Sequence, residues 1–356
     1  MRERVEKLSQ ALQGKADCAI ITDDINRRYL TGMKSSAGIV LVFREKAYLI
    51  IDFRYIEKAR EVVSFCEVIE QKDTYAQIRE LLVHHAAQTV AVESGSMTLQ
   101  QLACYRDKLA EFEFLTDDTL TDALYTLRTV KTAGEILKIK AAQSLAEHAL
   151  QALLEQLHVG MTEREIALAL DFHMRSNGAE DLSFETIALT GAHTSMPHGV
   201  PDDRQVQKGD FVLMDFGAVV DGYHSDMTRT VCVGEPTEEM RRVYEIVLEA
   251  QETALEQVRA GMKGSQLDHA ARTVIETAGY GAYFGHSLGH GVGMEIHEFP
   301  TAGPRSDKPL VSGSVVTVEP GIYIPAKFGV RIEDFVHISE NSCENLTKFT
   351  KKLICL

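Results

Sequence analysis

The chain lacks several features that would each have named a function class. No apolar run reaches about 18 residues, so nothing in it reads as a membrane span. The first residues, MRERVEKLSQALQGK, contain no apolar core of the kind a secretory signal needs, and the expected compartment is the cytoplasm. No CxxC pair occurs. The six cysteines (Cys18, Cys66, Cys104, Cys232, Cys343 and Cys355) are scattered through apolar phrases and read as free thiols rather than disulfides or zinc ligands. HExxH is missing, which argues against a helix-borne single-zinc protease, and neither a Walker A loop nor GxGxxG is present. Positive charge is in deficit, with 37 Lys and Arg against 52 Asp and Glu for a net −15. Nucleic acid needs a basic face, so it is not an expected partner.

What is present is ordinary for a globular protein: 356 residues, 45% apolar and 25% charged, enough for two domains. Residues 1–13 carry Val5, Leu8 and Leu12 at helical spacing. Strand-like CAIIT, GIVLVF, KAYLIID, CEVIE, TVAVES and FEFLT then alternate with helical stretches near 55–63, 75–87 and 97–110. His84 and His85 fall on the second of these as a surface face, while Arg54 and Tyr55 follow a strand end as a surface arginine and a packing tyrosine. This alternation predicts an N-terminal α/β domain over residues 1–127, with a second domain over 128–356. The second opens on a long helix from Thr132, where Glu135 completes a capping box; Thr162 and Glu165 repeat that signal. Two more helices are expected, from Thr237 to about Arg259 and from Ser265 to Ala278, where Gly279 stops the chain.

Between and after those helices stand Asp215 in FVLMDFG, Asp226 in GYHSDMTRT, His290 in GHSLGHGVGMEIHEFP, Glu319 in VVTVEPGIYIP and Glu333 in GVRIEDFVHIS. A carboxylate in an apolar, β-rich run is costly to bury unless a cation pairs with it. Four carboxylates and one imidazole carry about four negative charges, which two divalent cations neutralise. Oxygen-rich ligation with one nitrogen favours Mn²⁺, with Co²⁺ or Zn²⁺ as alternatives, and the set reads as a dinuclear metallohydrolase. His297 and His198 read as substrate contacts, His286 as a supporting or packing residue, and His224 and His193 as solvated. GHSLG around Ser287 matches a nucleophile elbow, but Gly-rich residues follow it where that motif needs a helix.

The phrases DFGAVVDGYHSDMTRT, HSLGHGVGMEIHEFP, VVTVEPGIYIP and GVRIED together resemble the pita-bread metallopeptidases, the group of methionine aminopeptidase, aminopeptidase P and prolidase. The resemblance is specific over 132–356 and looser before it. It implies an α/β (α+β) protein with a C-terminal pita-bread domain and a smaller N-terminal α/β domain. By motif match Asp215 would ligate one metal, His290 and Glu319 the other, and Asp226 and Glu333 both. Arg331, two residues before Glu333, and the separate N-terminal domain with IIDFRYIEKA are similar to the proline-specific branch. The implied reaction is hydrolysis of the bond between an N-terminal residue and proline. Glu319 would move the proton, His297 stabilise the oxyanion, His198 contact substrate near the proline, and Arg331 order the carboxylates. Peptides with proline second are the implied partners and a homodimer the implied assembly. Xaa-Pro aminopeptidase is the main expectation and Xaa-Pro dipeptidase (prolidase) the alternative. A methionine aminopeptidase and a non-catalytic peptide-binding protein are the rivals.

Overall fold

Alternating apolar strands in the first third of the chain need helices to cover them, and the computed structural model, which describes residues 1–356, shows how they are covered. The chain divides into two compact units, Met1–Arg128 and Thr129–Leu356. In the first, six strands form one mixed sheet in the order Glu67–Glu70, Ala47–Ile51, Ile39–Phe43, Cys18–Ile21, Thr89–Val92, Glu113–Leu115. Ile39–Phe43 and Ala47–Ile51 form the expected antiparallel hairpin, Cys18–Ile21 also runs antiparallel to Ile39–Phe43, and the remaining neighbours pair in parallel. Ile20, Leu41, Ile50, Ile78, Leu82 and Val90 fill its core.

Two helices of this unit, Asp24–Thr31 and Thr119–Thr129, were not expected from the sequence. The first is short and rich in arginine, so no apolar stripe announces it. Asp23 caps it by accepting from the Asn26 amide, and Gly32 ends it at φ 74°. His85 is not a plain surface residue. It stacks on Phe43 at 4.1 Å and lies 2.8 Å from the Tyr48 hydroxyl. Arg54 pairs with Asp52 at the surface, and the Tyr55 hydroxyl meets Ser36 Oγ.

The second unit is built from two helix pairs, each laid on a sheet. Both capping boxes form: Thr132 with Glu135 starts helix Ala133–Leu154, and Thr162 with Glu165 starts Glu163–Ser176. Their apolar faces (Leu150, Leu153, Ile166, Leu170, Met174) cover the antiparallel strands Ile187–Thr190, Asp210–Phe216 and Met227–Val233. Each fully buried side chain of this size contributes about 1.5–3 kcal/mol. Helices Glu238–Gln257 and Gly264–Thr277 do the same for a five-stranded sheet ordered Glu298–Ala302, Gly289–Gly291, Val315–Val318, Asp334–Ile338, Cys343–Asn345. A hairpin, Gly321–Ile324 with Phe328–Arg331, completes the unit. All six cysteines are unpaired.

Candidate metal centre

Register brings the acidic residues together. Asp215 lies in strand Asp210–Phe216, opposite Thr228 on one side and Ile187 on the other. Asp226 immediately precedes the neighbouring strand Met227–Val233. The other half supplies His290 from strand Gly289–Gly291, Glu319 just past Val315–Val318, and Glu333 between Phe328–Arg331 and Asp334–Ile338. The two sheets are stitched at this point, since the Glu333 amide donates to the Thr228 carbonyl at 3.2 Å. Close approach is what the glycines allow: a Cβ at Gly289 would sit 2.0 Å from the Thr317 carbonyl oxygen.

The five side chains share one cavity of about 540 Å³ with His198, His286, His297 and Arg331. His290 Nε2 lies 3.4 Å from Glu319 Oε1 and 3.5 Å from Asp226 Oδ2. Its Nδ1 faces the Gly291 carbonyl at 3.1 Å, so the ring proton belongs there and the Nε2 lone pair points at the carboxylates. Burial, helped by neighbouring His297, lowers the His290 pKa to about 4, which keeps the ring neutral. Asp226, His290 and Glu333 each offer one ligand atom, all within 4.8 Å of one another.

Carboxylates this crowded resist ionisation. Burial first, then Asp215 and Glu319, raise Asp226 well above its ordinary value. Glu333 is raised in the same way, by burial and then by Asp226. Burial pushes Glu319 up to about 8 even though Arg331 opposes it. Two oxygens in the group, Asp215 Oδ1 and Glu333 Oε1, are buried without any hydrogen-bond partner. Leaving a charged group so poorly compensated is expensive, and divalent cations are the chemistry that fits such oxygens.

One cation belongs to the chain itself. Arg331 donates from Nη2 to Asp215 Oδ2 at 2.5 Å, from Nε to Thr228 Oγ1 at 3.0 Å and from Nη1 to the Tyr323 hydroxyl at 2.8 Å. Tyr323 in turn meets His286 Nε2 at 2.9 Å, while His286 Nδ1 donates to the Ser287 carbonyl at 2.8 Å. His286 thus supports this network, as expected. Thr228 donates to Glu333 Oε2 at 2.7 Å and Thr317 to Glu319 Oε1 at 3.1 Å. Sequence reasoning missed Tyr323, Thr228 and Thr317. None of the three carries a signal of its own: threonine is common in strands, and standing two residues from Asp226 or Glu319 does not mark Thr228 or Thr317. His198 and His297 lie exposed on the cavity wall, the His297 ring 4.3 Å from that of His290. Ser287 precedes a strand rather than a helix, so no nucleophile elbow forms.

Two expectations about histidines fail. His224 is not solvated: burial lowers its pKa to about 4, and its Nδ1 has no partner. His193 is also covered, its side chain 7% exposed and paired with the buried Glu163 at 2.9 Å. Both stand among polar sequence neighbours, which conceals burial made by distant segments.

An acid-rich cavity between two helix-backed sheets, with a neutral imidazole and unsatisfied carboxylate oxygens, has the chemistry of a site that could hold metal in a hydrolase. The chain belongs to metallopeptidase family M24, whose model matches residues 137–340, preceded by a creatinase/prolidase N-terminal domain over residues 4–130. The fold is therefore the expected pita-bread domain, preceded in the chain by a smaller α/β domain. An Xaa-Pro dipeptidase of Pyrococcus furiosus is 39% identical over 99% of this chain and 100% of its own length. The solved Xaa-Pro dipeptidase from Bacillus anthracis superposes with a TM-score of 0.95 at 37% identity, covering 99% of each chain. An X-Pro aminopeptidase from Thermotoga maritima gives a TM-score of 0.92 at 38% identity, over 98% of this chain and 99% of that one.

Proposed function

We propose that the protein is an Xaa-Pro dipeptidase, with Asp215, Asp226, His290, Glu319 and Glu333 holding two divalent cations, Mn²⁺ first. The observation that carries this reading is the set of buried, undercompensated carboxylate oxygens around one cavity, in a chain that matches a dipeptidase along its whole length. The main expectation from sequence was the aminopeptidase. The relatives favour the alternative, since dipeptidases recur among them from several organisms.

Asp215 would serve one ion, His290 and Glu319 the other, and Asp226 and Glu333 both. Ions held there would supply Lewis-acid polarisation of the scissile carbonyl and an activated water. The chain's own residues do the rest. His290 offers Nε2 because its proton is tied to the Gly291 carbonyl. Arg331 fixes Asp215 and Tyr323, and through Thr228 is linked to Glu333. Glu319, oriented by Thr317, carries a proton towards the leaving proline nitrogen. His297 on the cavity wall donates to the oxyanion, and His198 on the facing loop contacts the proline end. Aminopeptidase P remains the second reading, supported by the Thermotoga maritima structure.

The test is to strip metal with a chelator, restore Mn²⁺, and compare an Xaa-Pro dipeptide with an Xaa-Pro-Yaa tripeptide. Cleavage of the dipeptide alone is the expected result. Tripeptide cleavage would transfer the protein to the aminopeptidases. Failure on both, with metal bound, would overturn proline specificity, and a Met-Ala peptide would then be tried.

A further inference from the structure

Glu163 is a buried acid that the proposed reaction does not use. It opens helix Glu163–Ser176, its side chain has no exposed surface, and its two oxygens gather three donors from one loop. Oε1 accepts from the Thr190 amide at 2.7 Å, Oε2 from the Asp202 amide at 3.1 Å, and His193 Nδ1 lies 2.9 Å from both oxygens. Thr190 and Asp202 are the two ends of the loop, and His193 stands inside it. The helix backbone adds to the grip, since the Arg164 amide donates to the Asp202 carbonyl at 3.2 Å. The middle of the loop is held from the opposite side: Gly329 donates to Thr194 Oγ1 at 2.7 Å and Arg331 Nη1 to the Pro197 carbonyl at 3.4 Å. What this loop presents to the cavity is Pro197, His198, Gly199, Val200 and Pro201. Val200 is 72% exposed, so apolar packing does not hold that tip in place.

The geometry points to Glu163 and His193 as a positioning pair that fixes the His198-bearing loop and so sets how tightly substrate is held. A carboxylate shared by both ends of a loop shrinks the set of conformations the tip can visit, and a residue at the tip then meets substrate with less ordering left to do. The donation from His193 closes the middle of the clamp with a charge-assisted bond. This assignment rests on the peptidase reading for its kinetic consequence, though not for the clamp.

The experiment compares wild type, His193→Ala and His193→Asn in the full-length, Mn²⁺-loaded protein. Asparagine puts an amide nitrogen where Nδ1 stood, so it restores the donor without the ring. Hydrogen exchange of amides in residues 190–202 is measured beside kcat and KM on an Xaa-Pro dipeptide. In His193→Ala, loop exchange is expected to quicken about tenfold and KM to rise about tenfold, with kcat within about twofold. His193→Asn should return both to within about twofold of wild type. If His193→Ala fails to fold, Glu163→Asp, which keeps the charge but shortens its reach, replaces it with the same expected direction. Unchanged exchange in the Ala variant would overturn the clamp. Faster exchange with unchanged KM would make the pair merely structural, and an Asn variant as impaired as Ala would remove the donor from the account. Should wild type cleave no Xaa-Pro peptide, the proline-specific reading falls while exchange still decides the clamp.

Discussion

Both units of the chain bury carboxylates, but only the second leaves some of their oxygens without a partner. In the N-terminal unit Glu93 is 1% exposed and fully served. Its Oε2 accepts from the Thr22 and Asp23 amides at 2.7 and 3.0 Å and from the Thr22 hydroxyl, and its Oε1 accepts from Asn26 Nδ2 at 3.0 Å. In the catalytic unit Glu333 is equally buried, yet one of its oxygens has no partner. The contrast is sharper still between sequence neighbours. Asp334, beside Glu333 and just as covered, meets Arg229 at 2.7 Å, Asn345 at 2.7 Å and Lys351 at 3.2 Å. Burial alone would raise it, but Arg229 and Lys351, with hydrogen bonds from Gln251 and Asn345, together hold it below its ordinary value, whereas Glu333 is raised well above. A buried acid with all its donors holds the fold together. A buried acid with missing partners stands ready for something added.

The largest expected effect comes from making Glu333 resemble its satisfied neighbours. Glu333→Gln removes one of the charges proposed to hold metal and should cost at least about a thousandfold in kcat/KM. It should also lower the Mn²⁺ stoichiometry, read by atomic absorption, while the metal-free fold becomes no less stable. Retained turnover would break the division between the two kinds of acid. Glu93→Ala is the mirror experiment. Two amides and a side-chain amide lose their acceptor, and denaturant unfolding should show a loss of about 3 kcal/mol. Metal content and kcat/KM of the folded fraction should stay at wild-type values. A comparable loss of activity there would sink the reading of Glu93 as purely structural.

Arg331 lies between the two kinds, a satisfied cation that serves unsatisfied acids. Arg331→Lys keeps the charge but cannot reach Asp215, Thr228 and Tyr323 at once, because only the guanidinium is forked. Titration with Mn²⁺ should show about 10- to 100-fold weaker binding, with a matching fall in kcat/KM at limiting metal. Unaltered affinity would mean that Asp215 orients itself without help.

The grouping of Asp215, Asp226, His290, Glu319 and Glu333 was legible in the sequence because each puts a costly group into an apolar, Gly-punctuated phrase. Helix starts were legible for a similar reason: Thr132 with Glu135 and Thr162 with Glu165 are local signals for a local event. Helix Asp24–Thr31 carries the same kind of cap, Asp23, but its arginines hide the apolar face. The supporting network was legible only in part: Arg331 and His286 were expected beside the site, while the partners they take there were not. Thr228 and Thr317 are ordinary strand threonines until the fold sets them beside carboxylates. The contact between Arg331 and Asp215 spans 116 residues, and that between Glu163 and His193 spans 30. Such pairs are chosen by tertiary packing, which leaves no periodic trace in the chain.

The smallest effect tests the same contrast through pH. Glu319 is pushed up to about 8, chiefly by burial, against an ordinary 4.5 in the unfolded chain. Between those values the metal-free folded state binds more protons than the unfolded state, so its stability falls as pH rises. Raised Asp226 and Glu333 act in the same direction. The buried histidines oppose this at lower pH: His290, His286 and His224 are lowered to about 4 from an ordinary 6.5, so stability rises with pH across that window. From 6.5 upward the unfolded rings lose their remaining protons, and the three raised carboxylates outweigh what is left of this opposition. The metal-free protein should therefore lose on the order of 1 kcal/mol between pH 6.5 and 8, measured by urea unfolding. Mn²⁺ should reverse the loss and expel protons as it binds, detectable as a buffer-dependent heat in calorimetry. A metal-free midpoint that climbed from pH 6.5 to 8 would show that these acids are already ionised and compensated, and would place Glu333 with Asp334.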